Sequence, residues 1–109
     1  MAQIPIVIEK PLTAYIQELS ECLQLNKVVL FGSMAQDTFD GDSDIDLAIF
    51  SADATDKNRL DLMTDALIKA MPYKLDIQPL VFPLADYHSD NDFIQKEIIE
   101  RGVEIYPAT

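Results

Sequence analysis

The chain is poor in basic residues: eight Lys and Arg stand against nineteen Asp and Glu, a net charge of −11 over 109 residues. A nucleic-acid-binding domain carries a basic footprint, and none is offered here. A basic protein partner or a metal-bridged anionic ligand suits such a surface better. Cysteine is nearly absent. Cys22 alone cannot close an intramolecular disulfide, so a reducing compartment is expected, with Cys22 a small buried thiol on a helix. No apolar run approaches the ~20 residues of a membrane span. The opening MAQIPIVIEK lacks the charged start and long apolar stretch of a signal peptide. A cytoplasmic protein is expected. There are no internal repeats and no low-complexity segments.

With 49% hydrophobic and 25% charged residues, the composition is that of an ordinary soluble globular protein. Residues 1–109 are read as a single domain. Residues 1–9 read as an edge strand or a partner-facing arm. Leu12, Ile16, Leu19 and Leu23 recur at helical spacing and predict a helix from about Pro11 to Leu25, with Asn26 ending it. Lys27–Phe31 is a short apolar run of the kind buried on both faces of a sheet, stopped by Gly32. Asp40-Gly41 is a turn signal. From Asp44 onward the pattern alternates strictly to Phe50 and predicts a strand.

Thr55 reads as a helix N-cap, Leu60, Met63, Leu67 and Met71 as the buried stripe of that helix, and Pro72 as its end. Tyr73–Leu80 alternates as a third strand. Pro79 and Pro83 bracket an irregular stretch that runs to His88, a plain loop histidine. Ser89 with Asp92 resembles a capping box. Phe93, Ile94, Ile98 and Ile99 form the apolar face of the last helix, Gly102 its terminating glycine, and Val103–Tyr106 a closing strand. The expected class is α/β (α+β), a compact mixed sheet of about four strands flanked by helices.

Chemistry is concentrated in Phe31–Phe50. Asp44 and Asp46 sit two apart on one strand face, about 6.6 Å from each other along the backbone. Asp76 lies on the polar face of the third strand, and neighbouring strands are about 4.8 Å apart. At an effective dielectric near 20, two such charges repel by about 2–4 kcal/mol. A domain of this size has only about 5–15 kcal/mol of net stability. The cluster therefore calls for a cation, and oxygen-only ligands select Mg²⁺ or Mn²⁺. Gly32-Ser33 complements it, because a glycine lets the backbone approach a phosphate and the following amides point toward the anion. An antiparallel pairing of the first two strands is required, since a parallel one would separate Gly32-Ser33 from the carboxylates by a strand length. Asp40, Asp42 and Asp44 resemble the start of a calcium loop. That fails, because Ile45 and Ser51 stand where glycine and glutamate are needed.

Gly32-Ser33, ten residues, then Asp44-Ile45-Asp46 resembles the signature of the DNA polymerase beta-like nucleotidyltransferase superfamily, with Asp76 in KLDIQPL matching its third carboxylate. The ending FIQKEIIERGVEIY is similar to that of the minimal nucleotidyltransferase (MntA-like) branch. The resemblance implies that Asp44 and Asp46 hold two divalent ions, with Asp76 completing the catalytic metal site and helping to deprotonate an acceptor hydroxyl. It implies too that Gly32 and Ser33 hold the β- and γ-phosphates of a triphosphate such as ATP.

It further implies AMP transfer to a helical HEPN-type partner protein, as the antitoxin of a toxin–antitoxin pair. The alternative is an antitoxin that neutralises its partner by contact. The chain leaves no room for an attached substrate-binding domain, so a partner or a second copy is expected to supply the acceptor. Where the family motif often continues with basic residues and glycine, this chain has Met34, Gln36 and Asp37. Lys74 is a candidate replacement cation.

Overall fold

The computed structural model describes residues 6–32, 44–73 and 75–106. Ser33, Met34, Gln36, Asp37, Asp40, Gly41, Asp42 and Lys74 lie outside the described residues, as does the start of the expected N-terminal arm. The elements run α1 (Ile6–Cys22), β1 (Lys27–Phe31), β2 (Ile45–Ser51), α2 (Arg59–Ala70), a 3₁₀ turn (Met71–Tyr73), β3 (Ile77–Pro83), a second 3₁₀ turn (Leu84–His88), a π-helical segment (Phe93–Ile99) and β4 (Val103–Tyr106). They build one four-stranded mixed sheet in the order β3-β2-β1-β4. β1 is antiparallel to both β2 and β4, and β2 is parallel to β3. The expected order of helices and strands and the mixed sheet are both found.

The sheet is covered on its two faces. Leu12, Tyr15, Ile16 and Leu19 of α1, with Ala66 and Ala70 of α2, pack on the side of Val28, Leu30, Ile45, Leu47 and Ile49. Ile94 and Ile98 pack on the other side, against Val29, Phe31, Ala48 and Phe50. β1 and β2 are thus buried on both faces, which accounts for their near-continuous apolar runs. The buried Tyr15 hydroxyl donates to the Ala66 carbonyl at 2.7 Å and ties the two helices together. Desolvation raises that hydroxyl's pKa well above the usual tyrosine value.

Several sequence expectations are corrected. Helix α1 begins at Ile6, so residues 6–9 are helical and Pro11 lies inside the helix. It ends at Cys22, whose thiol is exposed. Asn26 does not cap it. Its side chain instead accepts the Ala52 amide, and its own amide donates to the Phe50 carbonyl, fastening the entry of β1 to the exit of β2.

The inner face of α2 is carried by Ala66 and Ala70, with Leu62 and Met63 half-buried. Small residues let the helix lie close to the sheet. Leu60, Leu67 and Met71 of the expected stripe are therefore turned outward, Leu60 and Met71 being 67% and 68% exposed. Thr55 caps only the preceding turn, accepting from the Asn58 amide, and the helix starts at Arg59.

β3 starts at Ile77 rather than Tyr73, and it contains Pro79 and Pro83. The Ile45 amide donates to the Asp76 carbonyl, which fixes the phase of the parallel ladder. The even-numbered residues of β3 then bond β2, while Pro79 and Pro83 occupy positions whose missing N–H would have faced outward. The Val81 carbonyl on that free edge accepts the Arg59 guanidinium at 2.8 Å. Tyr73, off the strand, packs edge-on against Tyr15 and donates to Glu18.

The last helix is π-wound: the Glu100 amide reaches the Gln95 carbonyl, five residues back. Asn91, not Ser89, accepts its leading amide, from Ile94. Gly102 ends it for a reason other than a left-handed backbone. A Cβ there would overlap the Ile98 carbonyl oxygen and Val29 Cγ1, and would come within 2.9 Å of the Leu30 carbonyl oxygen. Glycine is what lets the chain turn from this helix into β4 directly against β1. Gly102→Ala is expected to lower unfolding stability by about 2–3 kcal/mol, the upper range for overpacking. Urea denaturation of the two proteins measures this, and an unchanged midpoint would contradict the packing account.

Candidate active site

The antiparallel β1–β2 register sets Phe31 opposite Asp46. Gly32, the next residue, has φ +77°, a conformation open to glycine and strained for other residues. A Cβ at Gly32 would overlap Asp46 Oδ2. The carboxylate therefore lies directly against a bare stretch of backbone where β1 turns away. The required antiparallel pairing is present, and it delivers Gly32 to Asp46. Ser33 lies outside the described residues.

The parallel β2–β3 pairing brings the third carboxylate. Ile45 faces Ile77 and Asp46 faces Gln78, so Asp76 stands beside Asp44 at the mouths of the two strands. Asp76 is not on the strand, as expected from alternation, but one residue before it. Gln78 Nε2 donates to Asp76 Oδ1 at 3.0 Å and orients that carboxylate. Gln78, two residues after Asp76, is a neutral amide, and the sequence alone gave no sign of this role.

The electrostatics are those of crowded acids. The Asp76 carboxyl, within hydrogen-bonding reach of Asp44 and like-charged, raises the Asp44 pKa above the ordinary value; burial and the Asp46 charge add to this. Asp46 is raised first by burial and then by the charge of Asp76. Among the described residues the ion pairs are Lys27–Glu104 and Glu97–Arg101, and neither touches these acids. The donor set consists of hard, anionic, acceptor-only oxygens and fits a divalent Mg²⁺- or Mn²⁺-like ion. Among the described residues no three His, Cys, Asp or Glu side chains already enclose a metal position. An ion here would need further oxygens from a phosphate ligand and from water.

Comparison with known proteins bears on this geometry. The family model described as "Polymerase beta, Nucleotidyltransferase" matches residues 14–108. The chain belongs to the polymerase beta nucleotidyltransferase family. Among solved structures, the chain resembles a crystal structure of the toxin–antitoxin MntA-HpeT, in a mutant with two aspartates changed to glutamate. The TM-score is 0.53 with 22% identity, over 84% of this chain and 69% of that one. The likeness is one of fold. No curated protein matches the sequence.

Two aromatic side chains sit where sequence reasoning did not place them, Phe93 beside Phe31 at the acidic end of β1 and His88 at the other end of the sheet, beside Tyr87 and Lys27. Phe93, expected in the core, is 47% exposed and rests edge-on against Phe31 with ring centroids 6.2 Å apart. His88, expected in an irregular loop, closes the second 3₁₀ turn with its ring against Tyr87.

The raised carboxyl pKa values fix a sign. The folded state holds these protons more tightly than the unfolded chain, whose aspartates titrate near 3.8. Stability present below that value is lost as pH rises through the raised values. In metal-free buffer, Asp46→Asn is expected to lessen the loss as pH rises above about 4, and to raise the melting temperature at neutral pH. Thermal denaturation followed by circular dichroism measures this. Parallel pH profiles for the two proteins would contradict it.

Proposed function

We propose that this nucleotidyltransferase moves a nucleoside monophosphate, AMP from ATP, onto a hydroxyl of a partner protein, in a reaction that depends on Mg²⁺ or Mn²⁺. The observation that carries this reading is the meeting of Gly32, Asp46, Asp44 and Asp76 at one end of the sheet. Asp44 and Asp46 would hold two divalent ions, and Asp76 would complete the site of one of them. When bound, the ions would supply charge neutralisation at the attacking and leaving oxygens.

The chain's own residues account for the rest. The Gly32 backbone, with Ser33 following it in sequence, receives the β- and γ-phosphates where no side chain intervenes. Asp76, steadied by Gln78, accepts the proton of the attacking hydroxyl. That oxygen bonds to the α-phosphorus as the bond to pyrophosphate breaks. The acidic surface and the toxin–antitoxin neighbour support a protein acceptor, and the branch resemblance in the C-terminal segment points to a helical HEPN-type one.

A second reading is an antitoxin that neutralises its partner by contact. The outward apolar stripe of α2 and the turn after it, where Leu60, Leu67, Ile68 and Met71 are exposed, favours it. So does the absence of basic residues at Met34, Gln36 and Asp37.

The experiment incubates the chain with Mg²⁺, ATP and the protein encoded by the adjacent reading frame, then weighs that protein. An added AMP is expected, falling to background with Asp44→Asn or Asp46→Asn while the complex still forms. No added nucleotide on a folded partner, with neutralisation intact in the aspartate variants, would favour the contact reading.

A further inference from the structure

Among the side chains whose exposure is described, Phe93 is the exposed large apolar one that lies outside α2 and the turn following it. Its position is tied to the carboxylates through a short chain of contacts. Phe31 faces Asp46 directly across the antiparallel pair, so their side chains leave the same face of the sheet. Opposed residues of this kind have Cβ atoms about 5 Å apart. The Phe93 ring stands edge-on to Phe31, at an interplanar angle of 87°. Phe31 is buried, while Phe93 keeps almost half its surface in water. The ring thus stands one side chain beyond the acid cluster, on the cluster's own face.

Phe93 is also held in place. It opens the π-helical segment, a winding often found at functional sites. The next amide, that of Ile94, is fixed by Asn91 Oδ1 at 3.1 Å, and Ile94 itself is buried. An exposed aromatic ring that is anchored on one side and bare on the other has the form of a stacking platform. Every nucleobase has a π-face, and aromatic stacking needs no hydrogen-bond pattern.

We propose that Phe93 is the nucleobase platform of the site: the base of a nucleoside triphosphate stacks on the Phe93 ring while its phosphates lie at Gly32 and the aspartates. This rests on the nucleotidyltransferase reading above and adds to it the part of the ligand that the carboxylates do not hold. Asp90 and Asp92 beside Phe93 are exposed acids, which disfavour a phosphate there and leave the neutral base as the fitting group.

The test compares Mg·ATP with Mg·tripolyphosphate, which keeps the three phosphates and lacks the nucleoside, by calorimetric titration of the whole chain. The wild-type protein is expected to bind ATP about tenfold more tightly than tripolyphosphate. Phe93→Ala is expected to abolish that difference by weakening ATP alone, and Phe93→Tyr to keep it. An equal preference for ATP in Phe93→Ala would overturn the platform, as would a wild type that does not distinguish the two ligands. A Phe93→Ala protein weakened equally toward both would show a structural role for the ring and overturn it as well. If neither ligand binds the wild type, the triphosphate reading itself falls, and the platform with it.

Discussion

The pairing of β1 with β2 is the constraint on which the rest depends. Because the two strands run antiparallel, with Phe31 opposite Asp46, the place where β1 ends is also the place where the acidic segment begins. Gly32 can follow there because it has no side chain: a Cβ would collide with the Asp46 carboxylate, and the φ of +77° would strain other residues. The rest of the fold protects this junction. Helices α1 and α2 cover one face of the strands, and Ile94 and Ile98 cover the other. Gly102 lets β4 close against β1 without a gap.

A second consequence is electrostatic. The parallel addition of β3 places Asp76 beside Asp44, so folding itself gathers like charges at the strand mouths. Both Asp44 and Asp46 are pushed toward holding their protons. A fold that kept these acids for stability alone would pair them with Lys or Arg. Here the described ion pairs lie elsewhere. The uncompensated acidity is what the proposed divalent metal would neutralise.

Much of this was legible in the sequence wherever one periodicity dominated. KVVLF and the alternation from Ile45 gave β1 and β2 closely, with Asp46 at its register position opposite Phe31 and Asp44 one residue before the strand. The antiparallel requirement could be argued because only one pairing joins Gly32 to the carboxylates. The misreadings arose where tertiary packing overrode local pattern. Alanines rather than the larger Leu and Met residues make the inner face of α2, because close approach to the sheet favours small side chains. Pro79 and Pro83 read as breakers but suit the outward positions of an edge strand. Gln78 and Phe93 carry no motif, and only the folded register shows one steadying Asp76 and the other flanking the site through Phe31.

The central claim is that Asp44, Asp46 and Asp76 form the protein half of a metal–triphosphate site. Diffraction at the manganese absorption edge, from crystals grown with Mn²⁺ and a non-hydrolysable ATP analogue, tests it most directly. The account predicts anomalous density at the carboxylates of Asp44 and Asp46, shared with the triphosphate, and the β- and γ-phosphates against the Gly32 backbone. A triphosphate bound elsewhere, or one bound here with no anomalous density at these aspartates, would contradict it.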